Sequence, residues 1–203
     1  MRTRVWMMAA VVGVGIAMVA ATLWQAEPVG AAEQAKEPAT FSGPIQLQKI
    51  KSQVVLYTLY RGPYQQVGPA IGKLFALAGQ KGIQVHGPLL LSYLNNPKMT
   101  EPQHYLTEIR IPVAPEALAK TGTLGEFTDV KKLQGIQVAM AVKPTGMADP
   151  GPVYAALMRW MAERDYVAID SPMERWRAAA GMASYAEMEA EIMIPVEKYG
   201  NSR

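Results

Sequence analysis

The chain repeats itself. At an offset of 83 residues, Glu108-Ile109-Arg110-Ile111-Pro112-Val113 falls on Glu191-Ile192-Met193-Ile194-Pro195-Val196, Tyr93 falls on Trp176, and the stretch Val54 to Leu59 falls on Gln137 to Val142. Fragments that keep their order over such a distance mark a duplicated unit. A copy of about 60 residues is too small to bury a robust core alone, so two copies are expected to fold against each other as one domain of roughly 150.

Within each copy the local pattern is strand, Gly-Pro turn, helix, strand, strand. The β-branched and aromatic run near Val54 to Tyr60 ends at Gly62-Pro63. Ile71, Leu74, Phe75 and Ala78 then recur at helical spacing, and Lys81-Gly82 closes that helix. In the second copy Pro152 suits a first helical turn, and Val153, Leu157, Trp160 and Met161 form the apolar stripe up to Arg164-Asp165. Arg61-Gly62-Pro63-Tyr64 is matched with Pro150-Gly151-Pro152-Val153-Tyr154 after a shift of a few residues. The expectation is an α+β fold: a tandem βαββ repeat with pseudo-twofold symmetry, an antiparallel sheet, two helices on one face and a ligand groove between the halves. Copy one covers about 45–113, a connector 114–135, and copy two about 136–198.

Before the repeat, Arg2 and Arg4 precede an uncharged apolar stretch from Val5 to Trp24, followed by Gln25 to Ala32. A basic start, an apolar core and a small-residue exit describe a secretory signal, with Val29 and Ala31 at the −3 and −1 positions of a cleavage site before Ala32. The same twenty residues, about 30 Å as a helix, suffice for a retained membrane anchor, with Trp6 and Trp24 at the interfaces. Residues 1–31 are therefore expected to be a signal peptide or an N-terminal anchor through residues 5–24. Either places the remainder outside the cytoplasm, periplasmic or otherwise extracytoplasmic. Residues 32–44, rich in Ala, Glu, Pro, Thr and Ser, are expected to be a flexible linker.

Composition narrows the chemistry. With no cysteine among 203 residues there is no disulfide, thiolate nucleophile, iron–sulfur cluster or Cys-based zinc site, and two histidines make a multi-histidine metal cage untenable. No metal or cofactor is expected. The 20 basic and 17 acidic side chains are interspersed, so no polybasic footprint for nucleic acid is visible. A Ser-His-Asp triad would need His86 or His104 as base, and neither stands in a nucleophile context.

Strand alternation selects candidate site residues. Ile109, Ile111 and Val113 share one face of their strand, the face a helix would cover, whereas Glu108 and Arg110 share the other. The same argument sends Glu191 and Met193 to that opposite face. Two carboxylates are thus expected to approach one cleft, joined by Tyr93 and Trp176, which the repeat makes equivalent.

These residues together, the Arg61-Gly62-Pro63-Tyr64 turn, Ser92-Tyr93, Thr107 to Val113 and the closing Glu191 to Val196, resemble the GyrI-like small-molecule-binding domain. This is the effector-binding domain of multidrug-responsive regulators and of gyrase-inhibitory proteins. The resemblance runs from about Ile45 to Lys198. It implies a tandem βαββ fold with a groove between the halves, in which an acidic residue of the closing strand, here Glu191, meets the charge of an aromatic, lipophilic cation. Aromatic walls complete such a groove, with Tyr93 and Trp176 as first candidates and Tyr60, Tyr64 and Tyr154 beyond them. A helix-turn-helix precedes this domain in regulators, and here an export segment stands in that place, so no DNA binding is expected.

Three functional readings follow. The leading one is non-catalytic capture of a small amphipathic, aromatic and cationic molecule, for sensing or sequestration outside the cytoplasm. The second is a hydrolase acting on a small molecule, with Glu191 and Tyr93 activating water. The third is an envelope protein-interaction module using the groove or a methionine-rich surface of Met173, Met182 and Met188.

Overall fold

The order of strands in the sheet shows how the duplication is built. The computed structural model describes residues 40–177 and 188–200. The export segment and most of the linker were read on residues outside that description. The elements are β1 (Ile45–Ile50), β2 (Gln53–Arg61), α1 (Gly68–Gln80), β3 (Leu90–Tyr93), β4 (Leu106–Val113), β5 (Thr128–Leu133), β6 (Ile136–Lys143), α2 (Gly151–Ala162), β7 (Tyr166–Ala168), β8 (Met173–Trp176) and β9 (Ala190–Lys198). They form an antiparallel sheet in the order β1-β6-β9-β8-β3-β4-β2-β5, with the short β7 paired to the end of β9. The expected α+β class, with its antiparallel sheet, is the observed one.

The 83-residue offset holds through most of the unit, carrying Leu90–Tyr93 onto Met173–Trp176 and Ile45–Ile50 onto Thr128–Leu133. Residues 128–133, read from sequence as part of a connector, are therefore the first strand of the second copy, and each copy is ββαββ, with the short β7 added after the helix in copy two. These first strands are exchanged. β1 pairs with β6 of the other half, Ile45 opposite Ala141, and β5 pairs with β2, Leu56 opposite Val130.

The offset also corrects one match. It places Gly68-Pro69, not Gly62-Pro63, on Gly151-Pro152, and both prolines occupy the first turn of their helices, where a missing N–H is harmless. Tyr154 is consequently the counterpart of Ile71. Gly62-Pro63 belongs to the turn after β2, where φ of +144° and the Tyr60 hydroxyl, 2.7 Å from where a Cβ would stand, require glycine at position 62.

Both helices cover the same sheet face. Ile71, Leu74 and Ala78 of α1 pack on Leu56, Ile109 and Ile111. Val153, Leu157 and Met161 of α2 pack on Ala139, Ala141, Ile192 and Ile194. Each fully buried Leu or Ile contributes about 1.5–3 kcal/mol relative to exposure. Phe75, expected in the α1 stripe, is 41% exposed because it lies on the flank of the helix, and Trp160 stacks on Tyr166 at 5.7 Å. Met173 and Met188, expected on a contact surface, are buried, while Met182 lies outside the described residues.

The strand exchange is directly testable in a chain without cysteine. Lys49 and Gln137, exposed and opposite each other on β1 and β6, are expected to form a disulfide on mild oxidation when both are replaced by cysteine. Failure of that pair to cross-link within one chain would refute the exchange.

Candidate functional site

Alternation places the acidic residues where the sequence put them, on the face away from the helices, but not beside the aromatic residues. Glu108 is buried and ion-paired with Arg110 Nε at 2.5 Å and Lys131 Nζ at 2.7 Å. Glu191 is buried between Arg175 and Arg177, with Arg177 Nε at 3.0 Å. The expected cleft joining Glu108 and Glu191 to Tyr93 and Trp176 is not formed. The sheet separates Glu191 from Tyr93, so these two do not act together on a water molecule.

On the helix-covered face a different carboxylate stands at the centre. Glu174 of β8 pairs across the sheet with Leu91 of β3 and Ile192 of β9, both inward residues of the helix face. It therefore points to that face where the two helix-covered clusters meet, and it is 1% exposed. The Tyr154 hydroxyl, brought by α2, donates to its Oε1 at 3.2 Å, and Trp176 Nε1 donates to its Oε2 at 3.1 Å. Burying a carboxylate costs several kcal/mol unless donors or a counter-charge take the place of water, and these two donors replace part of that hydration.

The flanking rows come from the repeat. In half one Thr107 of β4 lies between Tyr60 of β2 and Tyr93 of β3. The equivalent row in half two is Lys143, Ala190 and Trp176. Lys143 is fully buried, and its ammonium donates to the carbonyls of Pro144 at 3.2 Å and Met147 at 3.0 Å. Burial lowers the Lys143 pKa, and the charge of Glu174 works against that shift.

Tyr64, on the turn between β2 and α1, completes the aromatic wall. Its ring meets Tyr93 edge-on at 5.0 Å and stacks on Tyr105 at 4.5 Å. Its hydroxyl is buried, and burial, then Tyr105, then Glu174 push its pKa up to about 12. The structure thus gathers Tyr60, Tyr64, Tyr93, Trp176 and Tyr154 on one face with Glu174, and leaves Glu108 and Glu191 on the other. Glu174, Lys143 and Tyr105 were not singled out in the sequence. The repeat held a signal for two of them: Glu174 falls on the core residue Leu91, and Lys143 falls on Tyr60.

Two open depressions lie elsewhere, one of about 400 Å³ between α1 and β2 beside Lys73, Leu77 and Gln80, the other beside Ile83 and Ala117. Among the described residues no group of three or more His, Asp or Glu is placed to hold a metal ion.

Residues 21–114 match the family model described as the GyrI-like small molecule binding domain. The same fold occurs in the EcmrR C-terminal domain, at 19% identity, a TM-score of 0.63, and coverage of 78% of this chain and 99% of that one. It occurs also in EcmrR within an EcmrR–DNA complex, at 18% identity and a TM-score of 0.63, covering 76% of this chain. There the similarity spans 57% of the EcmrR chain. A protein from Listeria innocua described as a hydrolase shares the fold at 11% identity and a TM-score of 0.57, covering 75% of this chain and 91% of that one. No curated protein matches the chain.

Two predictions follow from the geometry. Replacing Glu191 by Ala removes the common partner of Arg175 and Arg177 and is expected to lower stability by about 1–3 kcal/mol in denaturant unfolding, reduced from the fully buried case because both arginines reach solvent. An unchanged midpoint would show the pairs to be inert. Tyr64, with a folded pKa above its ordinary value of 10.0, contributes stability that is present below pH 10 and lost as pH rises through about 12. A phenolate absorbance titration is expected to show a late-ionising tyrosine that disappears in Tyr64→Phe.

Proposed function

We propose that the protein binds a small organic cation with aromatic or apolar arms between its two halves, with Glu174 as its counter-charge, and that it does so outside the cytoplasm. The observation that carries the reading is a carboxylate, 1% exposed, set among aromatic side chains on the helix-covered face, with the Tyr154 hydroxyl and Trp176 Nε1 donating to it. A cation placed there is attracted by the carboxylate and by the aromatic faces, the latter worth about 0.5–2 kcal/mol each. Tyr64, Tyr93 and Trp176 supply the faces, and Tyr154 orients the carboxylate. Glu108 and Glu191 lie on the other face of the sheet, held by arginine and lysine and away from the aromatic side chains. The reading is non-catalytic capture, for sensing or sequestration.

The extracytoplasmic part of the reading rests on the basic, apolar and small-residue sequence of residues 1–31. A phosphatase that is active only outside the cytoplasm, fused after residue 44, is expected to be active. Its inactivity would remove this part alone.

The binding site is tested by thermal shift with tetraphenylphosphonium. A ligand at 100 times its Kd stabilises by about 2.7 kcal/mol, a shift of several degrees in a domain of this size. Glu174→Gln is expected to abolish the shift, and Glu191→Gln to retain it at a lower starting Tm. A shift that survives Glu174→Gln but not Glu191→Gln would move the site to the other face of the sheet.

A further inference from the structure

We propose that the open depression on the outer flank of α1 is a second binding site, independent of the one between the halves, and that it takes a small planar aromatic acid.

The depression has a volume of about 400 Å³, within the roughly 300–1,000 Å³ range of small-molecule pockets. Leu59, Ala70, Leu74 and Leu77 give it an apolar lining. Thr58 and Thr128, joined through their hydroxyls at 2.8 Å, form the side made by β2 and β5. Lys73 is the one charged residue in the lining, and no carboxylate pairs with it among the described residues.

The duplication shows what the fold itself places there. At the 83-residue offset Ala70, Leu77 and Thr128 correspond to Val153, Trp160 and Ile45. The strand exchange preserves the correspondence, since β5 flanks β2 as β1 flanks β6. In half two these three larger side chains pack on the core beneath α2, with Val153 fully buried. Half one trims all three and leaves a hollow where the other half is filled. The largest volume removed is that of an indole ring, so the occupant that restores the packing is a flat aromatic ring system.

Lys73 sets the charge of its substituent. The half-two counterpart is Ala156, so the cation belongs to half one as the hollow does. An ammonium at the rim of an apolar lining pairs with a carboxylate carried by the ring on a short arm.

The backbone beside the depression is specialised too. Phe127 precedes Thr128, its carbonyl accepts from Leu59 N at 3.0 Å, and it stands at φ +60° with its side chain 62% exposed. Bulky residues rarely adopt that conformation, and such outliers cluster at ligand sites. The half-two counterpart, Pro44, has a ring that forbids it.

Indole-3-acetate and indole-3-acetamide, alike in shape and different in charge, test the site. Each is titrated by calorimetry at low ionic strength into the parent, Lys73→Ala, Leu77→Trp and Glu174→Gln, and the Tm of each unliganded protein is recorded. The two substitutions on α1 install the half-two residues. The parent is expected to bind both compounds and to prefer the acetate by about two- to fivefold, the range of one exposed ion pair. Lys73→Ala is expected to lose that preference and keep the acetamide. Leu77→Trp is expected to bind neither compound at an unchanged or higher Tm, because its ring fills the hollow, and Glu174→Gln to bind both as the parent does. Binding that survives Leu77→Trp, or is lost in Glu174→Gln, would place the aromatic acid elsewhere and overturn the inference. A lower Tm in Leu77→Trp would show that the hollow is not the space Trp160 fills in half two, and would overturn it as well. Equal affinity of the parent for the two compounds would overturn the assignment to an acid, and binding of neither would overturn the site. All of these outcomes leave the cation site standing, since that site is read with tetraphenylphosphonium.

Discussion

The pairing of β3 with β8 is the contact on which the site depends. It consists of three register pairs, Leu90 with Arg175, Leu91 with Glu174 and Ser92 with Met173, and it joins two half-sheets into one. Strands of four residues are a slender seam between halves that each bury their own helix. The exchange of β1 and β5 reinforces it, since each half then contains a strand whose covalent neighbours lie in the other. The halves cannot part without breaking two edge pairings as well. The result is long-range pairing throughout, a topology that folds slowly but holds the seam at a fixed register. That register sets Glu174 opposite Leu91 and positions the carboxylate between the two helix-covered clusters.

Burial alone does not make a carboxylate a site, and the three buried glutamates of this sheet show why. Glu108 and Glu191 lie at equivalent places, and each is met by two cationic side chains. Such pairs hold neighbouring strands together and leave little charge to offer a ligand. Glu174 is met by a phenol and an indole. It differs in place as well, since it lies on the helix-covered face among the aromatic side chains.

Much of the architecture was legible in the duplicated sequence because a repeat constrains partners as well as elements. Alternation along Glu108 to Val113 and Glu191 to Val196 predicted the faces of β4 and β9 correctly. The inference failed at the next step, where Tyr93 and Trp176 were joined to the face of Glu108 and Glu191. Each helix covers its own half, so the central strands β3 and β8 present side chains to the helix side at the boundary between the two packed clusters. Glu174 escaped notice because its neighbours, Met173, Arg175 and Trp176, read as an ordinary amphipathic strand. Its departure from Leu91, a charge where the other copy has a core residue, was visible in the same alignment that revealed the repeat. β5 was missed because Thr128 to Leu133 pairs outside its own copy, and local pattern does not report a strand exchange.

A perfect duplication would present two identical rows around the seam and would suit a ligand with twofold symmetry. This chain breaks that equivalence where side chains face the seam and keeps it where they face the core. Tyr60, Thr107 and Tyr93 on one side correspond to Lys143, Ala190 and Trp176 on the other, whereas Ile109 and Ile111 correspond to Ile192 and Ile194. Packing imposes the same requirement on both halves, because each must fill the space beneath one helix at interior density. No such requirement acts between the halves, and there the copies differ in charge and polarity. One side offers phenols and a threonine hydroxyl, the other a lysine held by backbone carbonyls and a tryptophan turned to Glu174. A molecule that fits both sides at once has two chemically different ends, and the twofold frame fixes which end meets which row.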